Sequence, residues 1–111
     1  MKILLDESVP QKLRLLIDPR RHVVTTWCRG WSGLKNGSLL AVAEPDGFEL
    51  FVTADQEIAY QRNLTGRHIA ILVLSTNNWS VIQTAFAQIA LAIEKLAPGA
   101  YSFLDIGSGA Q

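Results

Sequence analysis

The stretch Lys2-Ile3-Leu4-Leu5-Asp6-Glu7-Ser8-Val9-Pro10 sets an unbroken apolar triplet against two acids and a serine. Ile3, Leu4 and Leu5 leave no polar face, so the segment reads as a strand buried on both sides, as in a parallel sheet covered by helices. Asp6 and Glu7 then fall at the carboxyl end of that strand, the edge where open α/β sheets place their ligands. Ser8 suits an N-cap and Pro10 a first helical turn, which predicts a helix from about Ser8 to Ile17. The same arrangement recurs in Leu50-Phe51-Val52-Thr53-Ala54-Asp55-Gln56-Glu57. If the two strands are parallel and close in the sheet, their acidic ends converge on one place.

The chain outside these two stretches alternates in the same way. Asp18-Pro19 ends the first helix, because the residue before proline is pushed out of the helical region. His22 to Trp27 is rich in β-branched residues and reads as a second strand; Cys28 to Gly37, with three glycines, reads as loop. Leu39, Leu40, Val42 and Ala43 have helical spacing before Pro45-Asp46-Gly47. A helical stretch is expected after the third strand through about Arg62, with a turn at 63–66. His68 to Leu74 is the most apolar segment and is expected to be a central strand. Ser75 to Asn78 offers several helix caps, and Ile82, Phe86, Ile89, Ile93 and Leu96 predict one long helix from Trp79 to Leu96. Ala100 to Leu104 is a fifth strand. Together these predict one domain over 1–106 with a frayed tail over 107–111: a three-layer α/β fold with a mostly parallel five-stranded sheet, helices on both faces and right-handed crossovers.

Composition narrows the function classes. At 111 residues, 49% of them hydrophobic, the chain can bury a substantial core without disulfides or metals. No apolar run approaches the roughly 20 residues a membrane helix needs, and the acids at 6 and 7 fit neither a signal nor a transit peptide. The single cysteine, Cys28, suits a reducing compartment, so a cytoplasmic location is expected. The formal net charge of zero conceals an asymmetry. Residues 1–35 carry seven bases against three acids, or +4, and residues 36–111 carry three bases against seven acids, or −4. A basic half is compatible with phosphate contacts to nucleic acid.

Carboxylates gathered at one edge repel one another, and hard oxygen donors of this kind recruit magnesium or manganese. Such an ion generates an attacking hydroxide and neutralises the charge that develops in phosphodiester cleavage. Asp6 and Asp55 are therefore the candidate ligands. Glu7 and Glu57 also suit helix N-termini, where the dipole favours negative charge. Trp27 and Trp31, beside Arg29, have the makings of a base-stacking platform but are explained equally by packing.

The segments Lys-Ile-Leu-Leu-Asp-Glu-Ser-Val-Pro and Leu-Phe-Val-Thr-Ala-Asp-Gln-Glu-Ile, with Val-Val-Thr-Thr between them and Ile-Leu-Val-Leu before Thr76-Asn77-Asn78-Trp79, resemble the small PIN-like proteins typified by LLDENLP and TxDxDF. The resemblance implies a sheet of order 3-2-1-4-5, metal-dependent endoribonuclease chemistry with Mg2+ or Mn2+, and a role as toxin beside a small antitoxin protein. Asp6 matches the first metal-binding aspartate and Asp55 the one after the third strand. Glu57 stands where a second aspartate is usual, and Ile58 where the aromatic is usual. At the second helix, Lys35-Asn36 replaces a customary Ser-Asp, so one expected carboxylate is an amide and metal affinity is expected to fall. Glu7, Asn36 and Asn77 are the candidate assisting residues, and Arg14, Arg29 and Arg62 the candidates for RNA phosphate contact. The apolar side chains at Leu39 and Leu40 are compatible with a homodimer.

Two other readings fit part of this pattern. A catalytically degenerate PIN-like module that acts by binding protein is favoured by Asn36 and opposed by the intact Asp6 and Asp55. Receiver domains also carry acids after the first strand and an aspartate after the third, but they need a lysine after the fifth; here Asp105-Ile106-Gly107 follows.

Overall fold

The computed structural model describes residues 2–15, 17, 22–26, 28–31, 33–34, 36–55 and 68–106. Five strands form one sheet: β1 (Lys2–Leu5), β2 (His22–Thr25), β3 (Leu50–Thr53), β4 (Ala70–Leu74) and β5 (Tyr101–Leu104). All four pairings are parallel and the order is β2-β1-β3-β4-β5. The α/β class is therefore as expected, whereas the order 3-2-1-4-5 is not found. Burial explains the difference. All four residues of β3 are buried, which suits the middle of a sheet, while His22 of β2 is exposed and Val23 and Val24 are half-buried, which suits an edge. β3 is thus the central strand, with the fully buried β4 beside it.

Alternation along the strands divides the core in two. Ile3, Leu5, Leu50, Val52, Ala70, Leu72 and Leu74 point to one face, where they meet Val9, Leu13, Ile82, Ile89 and Ile93. Leu4, Phe51, Ile71 and Val73 point to the other, where they meet Leu39, Leu40 and Ala43 of helix α1 (Asn36–Ala43). Since Leu39 and Leu40 are buried in this core, they are not available to pair with a second copy.

Two helices depart from the sequence expectation. In place of a full α-helix after β1, a 3-10 helix spans Gln11–Leu15 and buries only Leu13. It begins after Pro10, whose carbonyl accepts from Leu13 N–H at 3.0 Å. Ser8 does not cap it, because its hydroxyl is engaged at the strand ends. The long C-terminal helix is in fact two, α2 (Trp79–Thr84) and α3 (Phe86–Lys95). The break lies at Ala85, whose N–H is shared between Val81 and Ile82 carbonyls at 3.1 Å each. Thr84 Oγ1 also donates to the Val81 carbonyl at 2.8 Å, the back-bonding that bends helices. Asn78 caps α2 through Ser80 N–H at 2.9 Å. The stretch expected to be helical after β3, the turn at 63–66 and the tail over 107–111 lie outside the described residues.

The crossovers are not all of one hand. From β2 to β3 the chain advances toward β5 and carries α1 over the face of Leu4; from β4 to β5 it advances in the same direction and carries α2 and α3 over the face of Ile3. Parallel connections that advance one way over opposite faces have opposite hands, so uniformly right-handed crossovers are not found. A physical reason lies in the short 3-10 helix. Val9, Leu13 and Ile17 cover only part of the layer formed by Ile3, Leu5, Leu50, Val52 and Leu72 among the described residues, and the apolar stripe of α2 and α3 completes it. On β5, Leu104 therefore packs under these helices, while Tyr101 and Phe103 face the other way and stay 43% and 47% exposed.

Phe51 is fully buried in the central strand, whereas Leu91 on α3 is half-exposed. Phe51→Ala is expected to lower the unfolding free energy by about 3–5 kcal/mol, and Leu91→Ala to change it by less than about 0.5 kcal/mol, as read from urea unfolding curves.

Candidate functional site

The order β2-β1-β3 makes the chain leave β1 on one side and return on the other, so the gap between the carboxyl ends of β1 and β3 is a topological switch point. Hydrogen bonds carry the ladder one residue past each pairing. Asp6 N–H donates to the Val52 carbonyl at 2.9 Å, and Thr26 N–H to the Leu5 carbonyl at 3.0 Å. With Leu5 paired to Thr25 and to Val52, the next residues Thr26, Asp6 and Thr53 stand level on three adjacent strands. By alternation they share the face of Leu4 and Phe51.

Asp6 is the hub. Its Oδ2 accepts from Ser8 Oγ and from Thr53 Oγ1, each at 2.7 Å. Each hydroxyl in turn accepts a backbone donor: Ser8 Oγ from Ala54 N–H and Thr53 Oγ1 from Asp55 N–H, both at 3.0 Å. A hydroxyl has one proton and spends it here on Asp6, so the two oxygens lie side by side at 3.1 Å as contacts rather than partners. One carboxylate oxygen is thereby saturated and the carboxylate plane fixed. Among the described residues no donor reaches the other oxygen, Oδ1. Thr53 is buried, and Asp6, Ser8 and Asp55 are half-buried.

The remaining candidates are dispersed. Glu7 accepts from Gly33 N–H at 3.1 Å and so holds the loop after β2. Arg29 is not gathered with Asp6: its guanidinium pairs with Asp46 at 2.6 Å and lies over the Trp31 and Phe48 rings at 5.6 and 5.5 Å. Lys2 joins that cluster, 3.3 Å from Asp46 Oδ2 and 4.4 Å from the Phe48 ring centre. Trp31 packs edge-on against Phe48 with ring centres 5.9 Å apart, so here packing rather than base stacking accounts for it. Arg14 is exposed on the 3-10 helix, and Asn77 is exposed at the end of β4. Ser75 binds the main chain of Ile106 in both directions, at 3.0 and 2.9 Å. Glu57, Arg62 and the side chain of Asn36 lie outside what is described.

Among the described residues no three His, Cys, Asp or Glu side chains come together, so a ready-made protein cage for a metal is not present there. The chemistry of the donors nonetheless fits a hard cation. Magnesium is commonly held by one or two carboxylates while keeping several waters, and Asp6 and Asp55 with neighbouring hydroxyls supply that type of oxygen set. Asp6 and Asp55 are the candidates singled out by the sequence; Ser8, Thr53 and Thr26, which stand around Asp6, are not among them. The available signal was a hydroxyl ending an otherwise apolar buried strand, where a polar side chain needs a partner.

Comparison of the chain with protein-family models, curated protein sequences and solved structures returned no match.

The hub also makes a stability prediction. Asp6→Ala strands two hydroxyls and is expected to cost about 1–3 kcal/mol. Asp6→Asn keeps an acceptor oxygen for both and is expected to cost less than half as much in the same urea titration.

Proposed function

We propose that the protein is a magnesium- or manganese-dependent endoribonuclease whose site is the switch point between β1 and β3. The observation that carries this reading is the state of Asp6: one oxygen saturated by two hydroxyl donors, the other without a donor among the described residues, at the sheet edge where ligands of such folds bind. Ligating carboxylates are characteristically held in orientation by hydrogen bonds from the side chains around them in this way.

In the proposed mechanism Asp6 Oδ1 and the Asp55 carboxylate would hold the cation, and Glu57 would serve as a further ligand or water-orienting base. When bound, the ion lowers the pKa of its water and offsets charge on the phosphoryl oxygens. Ser8 and Thr53 keep the Asp6 carboxylate in one orientation, and the Asp55 main chain is tied to the same network through Thr53. Arg14 and Arg62 are the proposed phosphate contacts; the ion pair of Arg29 with Asp46 argues against its sharing that role. The toxin role, its small antitoxin partner and a cytosolic location are supported by the sequence resemblance and the lone cysteine. Among the described residues, no helix is long and apolar enough to cross a membrane.

A receiver-like reading gains from the order β2-β1-β3-β4-β5, which receivers share. It lacks the lysine after β5, where Leu104 leads into Asp105 and Ile106.

Manganese titration calorimetry on the parent, Asp6→Asn and Asp55→Asn tests the proposal, followed by cleavage of mixed single-stranded RNA with the metal present. The expected result is binding and cleavage in the parent and neither in the variants. A parent protein that binds no manganese at millimolar concentration overturns it, and stable phosphorylation of Asp55 by a small phosphoryl donor would favour the receiver reading.

A further inference from the structure

Thr53 and Thr26 flank Asp6 on either side, level with it and on the same face of the sheet. Thr53 gives its proton to Asp6 Oδ2. Thr26 is 1% exposed, and its Oγ1 is buried without any hydrogen-bond partner; among the described residues it is the one side-chain atom in that condition. Its main chain is held at both ends, by the N–H bond to the Leu5 carbonyl and by Trp31 N–H donating to its own carbonyl at 2.9 Å. The backbone position is therefore fixed at the end of the sheet, and burial keeps the hydroxyl from bulk solvent. A donor without an acceptor thus stands one strand away from Asp6 Oδ1, an acceptor without a donor among the described residues.

Adjacent strands lie roughly 4.8 Å apart, a spacing across which polar side chains of neighbouring strands are ordinarily linked by a bridging water where no direct bond forms. We infer that Thr26 is a positioning residue of the strand-end site, its hydroxyl donating to a buried water that in turn donates to Asp6 Oδ1. Each carboxylate oxygen has two lone pairs, so Oδ1 retains one for a cation. Thr53 and Thr26 then hold the carboxylate from opposite sides, one directly and one through water. This inference rests on the metal-site reading above.

Manganese affinity of Thr26→Val and Thr26→Ser, measured by calorimetry beside the parent, tests it; Thr26→Ala replaces the valine variant should that one fail to fold. The expected result is a roughly tenfold weaker affinity without the hydroxyl and parental affinity in Thr26→Ser. Parental affinity in the hydroxyl-free variant overturns the role of Thr26 while leaving the metal site intact. Equal weakening in the serine variant also overturns it, since the hydroxyl would then not be the group responsible. A parent that binds no manganese removes the metal-site reading and this inference with it.

Discussion

Burial of β3 and β4 on both faces is the constraint from which the rest of the molecule follows. A strand with no polar side must be covered above and below, and each cover must be carried by the connections between strands. One side receives α1, whose Leu39, Leu40 and Ala43 meet Phe51 and Ile71. The opposite side receives, from the described part of the β1 to β2 connection, a five-residue 3-10 helix with Val9 and Ile17 beside it, and α2 and α3 pack there as well. The mixed hand of the crossovers is a product of that demand, and the exposed aromatics of β5 are its by-product.

The strand ends show how a site can be built from hydroxyls as much as from acids. A lone aspartate at a sheet edge would rotate freely and hydrate on both oxygens. Here Ser8 and Thr53 immobilise one oxygen, and their own oxygens are anchored by Ala54 and Asp55 N–H groups. Orientation of the carboxylate is consequently a property of the β1–β3 junction rather than of Asp6 alone. On the opposite side of the same face, the Lys2, Arg29, Asp46 and Phe48 cluster keeps two cations in structural duty.

Much of this was legible in the residues. Unbroken apolar runs ending on polar residues located all five strands to within one or two positions, and Asp6 and Asp55 stood out because acids follow such runs directly. What failed to show was anything decided across the sheet. Ser8 is as good a helix cap as a partner for Asp6, and only the approach of Thr53, distant in sequence, selects between them. Strand order likewise depends on relative burial, which the equally apolar Ile3-Leu4-Leu5 and Leu50-Phe51-Val52 do not reveal. The break at Ala85 was hidden because Ile82, Ile89 and Ile93 keep a helical spacing through it; its cause is a hydroxyl bond from Thr84 to a carbonyl three residues earlier.

The tie between Asp6 and Thr53 also has a meaning for how the chain comes into being. Synthesis proceeds from the amino end, so β1 is made before its inner neighbour β3, and the hydroxyl that orients Asp6 follows some 47 residues after it. Until then an apolar strand with an unpaired inner edge waits in the nascent chain, and non-local parallel pairing of this kind is slow to form. Asp6 and Glu7, placed directly after the apolar triplet, give that waiting segment a charged end, which discourages the edge-to-edge association to which unpaired strands are prone.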